Sequence, residues 1–535
     1  MLTLLELRDE AIDASKYAHD RIRSELAIYQ NNAYGTGHHR VGRVKSQAGE
    51  SLDPKVRKGV NRLIPGFMEQ MARIEVQPDR SYRTEDDILL CEDLQAWLDM
   101  NDDAADEGED MEGLIKQNLA LGHAICKVGW DPVQMVATAG PVSPLCISVD
   151  PACRKVNFSD AGFLVHREPQ NLGYVREHYP DFNLGQLNIK VEKGERQSLV
   201  VDEMWVRPEK AKQCGVEVDD DIGGVLVAVF INSIFHKIEY SPYWYPDFPF
   251  CSWRNFMDID DSTGKPHEFW GYGYGTQLWT NQKLIDEMLA NLVLISRNQA
   301  VGRFLSKEGA LDMEQVLPIH GLNIEINEDF SLEDVMHLPP DVIPPVLFQI
   351  FEFFSNQADS EIPSLSDIFV GEGPGGSESG RAINARQYAS FSQLSGNIRS
   401  MNDFRRRRAR IKTTMIQQYA QRPLRAHQWR GGIDLPEFFP EDARHVSYQL
   451  ALPDVSMLPN TPAGRLQVVQ MLANMGMVMA PERMLEFIGL DRGFGLKAED
   501  FMPMPMPVQG AGGGAPGQID EGVVSGIEAA MKAER

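Results

Sequence analysis

Apolar residues near the start of the chain recur three and four positions apart, a spacing that predicts an amphipathic helix over residues 1–31. A second helical stretch covers 86–120 and carries the acidic run NDDAADEGEDMEG, which reads as an exposed face or loop. From about 122 to 254 the period shortens. HAICKVGWDP, PLCISVDP, AGFLVHRE, QSLVVDEMWVRP and GGVLVAVFINSIFHKIEY are short apolar runs bounded by turn residues, so this region is predicted to be mostly strand. Two of the runs end in Asp-Pro, where proline removes a ladder donor and holds the preceding residue extended.

Helical spacing returns at Thr276–Arg297, where Leu278, Ile285, Met288, Leu289, Leu292 and Ile295 predict a helix roughly 30 Å long at ~1.5 Å per residue. Gly271, Gly273 and Gly275 precede it; without the later glycine of a dinucleotide fingerprint, they serve as a loop opening that helix. Residues 298–342 form a mixed segment with a strand-like LNIEIN. Pro344 and Pro345 suit the first turn of another helix, which continues to 358 with Val346, Leu347, Ile350, Phe351 and Phe354 on one face. The longest helical stretch is 380–421, with Gly396 as a candidate kink. Inside it, FRRRRARIK points its arginines all around the axis. They cannot form one phosphate-facing row, and salt bridging to acidic neighbours is expected instead. Residues 461–492 read as a pair of short helices, and from 501 the proline- and glycine-rich chain is expected to be disordered.

Composition narrows the function. With 535 residues and 43% hydrophobic content the chain can build several real cores. Acidic residues outnumber basic ones 77 to 52, a net charge of -25, which disfavours a static grip on nucleic acid. The first residues read as a helix and not as a signal peptide, and MLANLVLI at 288–295 is far below the ~18 residues that cross a bilayer, so no membrane partner is expected. Six cysteines without a CxxC pair read as reduced thiols, and His38 and His39 are a weak metal candidate. Asp258, Asp260 and Ser262 begin a calcium-like pattern that fails, because Gly264 is one place late and Phe269 stands where the closing glutamate belongs. YSPYWYPDFPF lacks the cations of a base-stacking platform and reads as packing between layers.

The segment GPGGSESGRAINARQ, 373–387, nearly fits a phosphate-binding loop. Gly375 and Gly380 stand five apart, but Arg381 replaces the lysine and Ala382 the magnesium-binding hydroxyl. A nucleotide-binding α+β enzyme using the two glycine-rich loops is the alternative function. The bland alternative is a soluble α+β protein whose paired helices form an ordinary bundle, against which stands the ~45-residue insertion between them.

The order of parts resembles the portal proteins of tailed bacteriophages. The resemblance is carried by NRLIPGFMEQMARIEVQP (61–78), GHAICKVGWDP (122–132), GYGTQLWTNQKLIDEMLANL, IPSLSDIFVGEGPGGSESGRAINARQ, the arginine-rich helix and LPNTPAGRLQVVQMLANMGMV; Arg381 departs from the commonest form, which is apolar there. It implies an α+β portal-type fold: an N-terminal wing over 1–270, stem helix 1 over 271–297, a small α/β clip over 298–342 and stem helix 2 over 343–358. A tunnel loop and long kinked wing helix would fill 359–425, a wing return 426–460, a helical crown 461–500 and a disordered tail 501–535.

By the same resemblance the chain is not an enzyme and needs no cofactor. It implies a ring of about twelve copies at one capsid vertex of the virion, assembled in the host cytoplasm, through which double-stranded DNA is packaged and ejected without sequence specificity. Gly375, Gly376, Ser377, Glu378, Ser379, Gly380 and Arg381 would then be the tunnel loop facing DNA, its glycines and serines giving mobility. Lys307, Glu308, Asp312 and Glu314 would be the clip residues that dock the large terminase ATPase and then the head-tail adaptor and tail proteins. Major capsid and scaffolding proteins are the remaining implied partners.

Overall fold

The computed structural model describes residues 3–30, 53–71, 73–79, 84–187, 198–219, 223–259, 268–300, 303–307, 335–338, 345–361, 380–420 and 439–452. The chain divides into two units that mix helix and sheet, the first made of Met1–Gly66, Gly108–Gly129 and Ala139–Phe404, the second of Phe67–Glu107, Trp130–Thr138 and Arg405–Arg535.

The first unit is organised by the strand-rich region that the sequence predicts. Helix α1 (Leu4–Tyr29) starts in a capping box, with Thr3 accepting from Glu6 and Glu6 reaching back. The strands β6 (Ile147–Val149), β7 (Phe163–Asn171), β8 (Ser198–Val206), β9 (Leu226–Ile231) and β10 (Ile234–Tyr240) make one antiparallel sheet in sequential order. Side chains alternate across a strand, so β8 sends Asp202, Met204 and Val206 to one face and Leu199, Val201 and Glu203 to the other. On the first face Met204 and Val206 join Leu7 and Ala11 of α1, Phe163, Val165, Ala228 and Phe230 in a dry cluster. On the second, Leu199 and Val201 pack with Val229, Ile231, Phe182 and Val175 of α5 (Leu172–His178).

Each face of β8 also holds a paired charge. Asp202 is fully buried and accepts from Arg8 of α1 at 3.2 Å and from Arg167 Nε of β7 at 2.7 Å. Burial alone would push the Glu203 carboxyl up, but the Lys127 ammonium and a hydrogen bond from His166 draw it down to about 2. The run GGVLVAVFINSIFHKIEY is not one strand but the hairpin β9–β10. Asn232 and Ser233 form its two-residue turn with φ of 48° and 66°, the left-handed pair that matches strand twist.

After β8 comes the short helix α6 (Pro208–Gln213). A three-stranded sheet pairs β11 (Phe250–Arg254) with β2 (His123–Lys127) and β2 with β5 (Pro141–Val142). Ahead of β11, Phe248 is buried, as is Phe250 within it, while Trp244 of the same aromatic stretch is 52% exposed, so that stretch packs only in part. All six cysteines are free, four of them buried.

The second unit gathers α3 (Glu85–Ala104), the hairpin of β3 (Gly129–Asp131) with β4 (Val136–Thr138), and the pairing of β1 (Glu75–Pro78) with β14 (Tyr448–Ala451). Asn101 of α3 grips both backbone groups of Ala137, at 2.6 and 2.9 Å. Trp97 stands edge-on to Phe439 and Trp130 stacks on Tyr419. The predicted helix over 86–120 is two helices, because Asp106 takes φ 50° between α3 and α4 (Glu107–Leu121). The acidic run is also not simply exposed. Asn101 is buried, and Asp102 and Glu107 turn inward to meet cations of the long helix Gly380–Tyr419, which runs unbroken through Gly396.

Candidate functional site

The region that carries the functional question lies between two helices, α7 (Tyr274–Ala300) and α8 (Pro345–Glu361), both close to their predicted extents. Leu278 and Ile285 bury the first half of α7, as its apolar periodicity predicts. On α8 only part of the predicted face is covered. Leu347, Phe351 and Phe354 are half-buried, whereas Val346 and Ile350 are 56% and 39% exposed, together with Phe348 at 48% and Phe353 at 63%. A single neighbouring helix covers only a narrow stripe, so a helix that is apolar over more than that stripe leaves the rest to water. Between the two helices, β12 (Arg303–Ser306) pairs antiparallel with β13 (Val335–Leu338); the predicted strand LNIEIN lies outside the described residues.

The base of α7 is fastened by glycines and polar side chains. A Cβ on Gly273 would lie 2.5 Å from the Ala120 carbonyl oxygen, and one on Gly271 would lie 2.6 Å from the Gly122 carbonyl oxygen. Gly122 itself has φ 75° and sits against Tyr272. These glycines are therefore contact points between backbones, a stronger constraint than a loop opening a helix. Glu25 of α1, 1% exposed, accepts the Gly273 N–H at 2.8 Å and the Thr276 hydroxyl. Gln282 of α7 accepts the Lys55 N–H at 2.9 Å and donates to the Asp53 carbonyl at 2.9 Å, where α2 (Lys55–Glu69) begins. Lys55 reaches Asp359 of α8 at 2.8 Å, and Asn281 donates to Glu361 at 2.9 Å.

Of the predicted tunnel-loop residues, Gly375, Gly376, Ser377, Glu378 and Ser379 lie outside the described residues, and Gly380 and Arg381 are the first two residues of the long helix. Of the predicted docking residues, Lys307 is exposed just after β12, while Glu308, Asp312 and Glu314 lie outside the described residues, as do His38, His39, Asp260 and Ser262.

The arginine-rich stretch makes the salt bridges expected of it. Arg408 is 1% exposed and pairs with Glu107; Lys412, its side chain 3% exposed, bridges Glu107 and Asp102, the latter at 2.8 Å. Burial is the largest influence on both acids. It wins at Asp102, whose carboxyl is raised, and loses at Glu107, where Lys412 and Arg408 together hold the carboxyl below its usual range. Burial likewise lowers Arg405, offset in part by Glu107 and Asp102. These cations neutralise the protein's own acids.

Among the described residues no group of three or more His, Cys, Asp and Glu is placed to hold a metal ion, and no helix is long and apolar enough to cross a membrane. Sequence reasoning missed Glu25 and Gln282. A signal for Glu25 existed: it falls on the buried stripe Leu7, Ala11, Ser15, Ala18, Ile22, so its carboxylate had to find a partner inside. Gln282 carries no such mark, because Lys55 and Asp53, the partners that make it a cap, lie more than two hundred residues away.

No family model and no curated protein matches the chain. Among solved structures, a chain from the virion of a native gene transfer agent particle is similar at a TM-score of 0.40 and 10% identity, over 87% of this chain and 93% of that one. A chain from the neck of an empty particle of the same kind, computed with C6 symmetry, is similar at a TM-score of 0.38 and 11% identity over the same shares. Likeness at this level assigns no activity.

Proposed function

We propose that the chain is one subunit of a portal, a ring of about twelve copies at a capsid vertex of a tailed-phage virion, through which double-stranded DNA enters and leaves. The observation that carries this reading is α8. It is an amphipathic helix with more apolar surface than its own chain covers, bound along one stripe to α7 and leaving Val346, Phe348, Ile350 and Phe353 to be covered by something else. A neighbouring copy of the same hairpin would supply that cover, and repetition of a head-to-tail contact closes a ring. The motif order seen in the sequence supports the same reading.

On this reading the antiparallel pair β12–β13 belongs, with the residues between its strands, to the clip, where terminase docks during packaging and adaptor and tail proteins dock afterwards. Residues 375–381, the last two of which open the long helix, face the DNA. The net charge of -25 per copy favours sliding of the duplex, since carboxylates repel phosphate, with Arg381 the one cation among the DNA-facing residues. ATP hydrolysis belongs to the terminase, in keeping with Arg381 and Ala382 in place of the lysine and hydroxyl that nucleotide chemistry needs.

Negative-stain electron microscopy of the purified protein, viewed along the symmetry axis, is the test. Rings with a central hole and about twelve subunits are the expected result. Monomers or dimers at high protein concentration would sink the proposal.

A further inference from the structure

In the first unit, α7 and α2 begin without a side-chain acceptor just ahead of them. The first N–H groups of a helix have no partner inside it, and a Ser, Thr, Asp or Asn just ahead normally supplies one. Thr3 does this for α1 and Thr84 for α3. Ahead of α7, however, stands Gly273, and ahead of α2 stands Pro54; neither has a side-chain acceptor. Gly273 cannot be exchanged for a capping residue, since a Cβ there would overlap the Ala120 carbonyl.

Both helices draw a side-chain acceptor from another element, and at α2 the Lys55 N–H shares its bond with the local Asp53 carbonyl at 2.8 Å. Glu25 of α1 caps α7 through the Gly273 N–H and the Thr276 hydroxyl. Gln282 of α7 in turn caps α2 through the Lys55 N–H, held in place by its own bonds to the Asp53 carbonyl and to Asp286 at 3.0 Å. The Lys55 side chain then reaches Asp359 of α8. The links run in one sequence, α1 to α7 to α2 to α8. Glu25 is 1% exposed and Gln282 4%, so water cannot easily take the place of either.

We infer that this sequence of borrowed caps is a mechanical coupling that sets the α7–α8 hairpin against α1 and α2. A local cap holds only its own helix. A borrowed cap forms only when both elements are in register, so losing one link loosens helices that the lost side chain never touched. The inference concerns the single chain and does not depend on ring assembly.

Hydrogen exchange on the full chain, read by mass spectrometry, tests it. Glu25→Ala is expected to speed exchange about fivefold, the effect of one lost cap, in the first turn of α7 and also in the first turn of α2 and the last turn of α8. Glu25→Gln keeps the acceptor and is expected to exchange no faster than wild type. Thr84→Ala, a local cap, is expected to change α3 alone. An effect of Glu25→Ala confined to the first turn of α7 would overturn the inference. Should Glu25→Ala fail to fold, Gln282→Met keeps the side-chain length and removes the second link; unchanged exchange in α2 and α8 would overturn it equally.

Discussion

Glu25 is a carboxylate held where its charge is costly. Burial pushes its carboxyl above the usual range, against the bonds from Thr276 and Gly273 and the charge of Arg21, which act the other way. A folded-state pKa above the unfolded one means that the folded protein binds the proton more tightly. The stability this group contributes is therefore fully present below the unfolded pKa and is lost as pH rises through the folded one. Glu25→Gln, which keeps the acceptor and removes the charge, should melt higher than wild type at neutral pH, with the gap closing as pH falls toward the carboxylate range. Thermal melts over that pH range check this; a variant that melts no higher than wild type at neutral pH would contradict it. Glycine gives a second contrast between residues. Gly273→Ala meets the Ala120 backbone at 2.5 Å and should destabilise by about 2 kcal/mol, whereas Gly396→Ala meets nothing within 4 Å inside a helix and should stabilise by about 1 kcal/mol. Denaturant unfolding of the two variants should move in opposite directions.

At the scale of elements, the long helix decides how the second unit closes. Its positions 408 and 412 are one turn apart and place Arg408 and Lys412 on the same face, opposite the turn between α3 and α4. Breaking a buried pair leaves the other charge uncompensated, so Lys412→Met should cost about 3 kcal/mol in urea unfolding. Asp102→Asn should cost much less, because burial already disfavours the Asp102 charge. Equal losses in the two variants would refute this division of roles. Much of this level was legible from spacing: the extents of α1, α7, α8 and the long helix, and the strand character of 122–254. What was not legible was where a run breaks. Asp106 splits the predicted helix over 86–120 and Asn232-Ser233 folds one apolar run into two strands, and in both cases a left-handed backbone is adopted by residues that do not demand it.

At the scale of the whole molecule, the exposed apolar surface of α8 predicts association. Phe348→Asp combined with Phe353→Asp removes two side chains that are 48% and 63% exposed, so the isolated chain should keep its melting curve while large assemblies disappear from light scattering after gel filtration. Assemblies of unchanged mass would exclude α8 as the contact. By itself the amino-acid sequence determined the helical character of α1, α7, α8 and the long helix, the strand character of 122–254, the failure of the phosphate-loop pattern at Arg381 and Ala382, and the acidic balance, because these depend on residue type and local period alone. Only the tertiary structure decided which charges are paired and which apolar faces stay open. Glu25 reaches Gly273 across 248 positions and Lys412 reaches Glu107 across 305, and no local pattern encodes a partner that folding alone brings near.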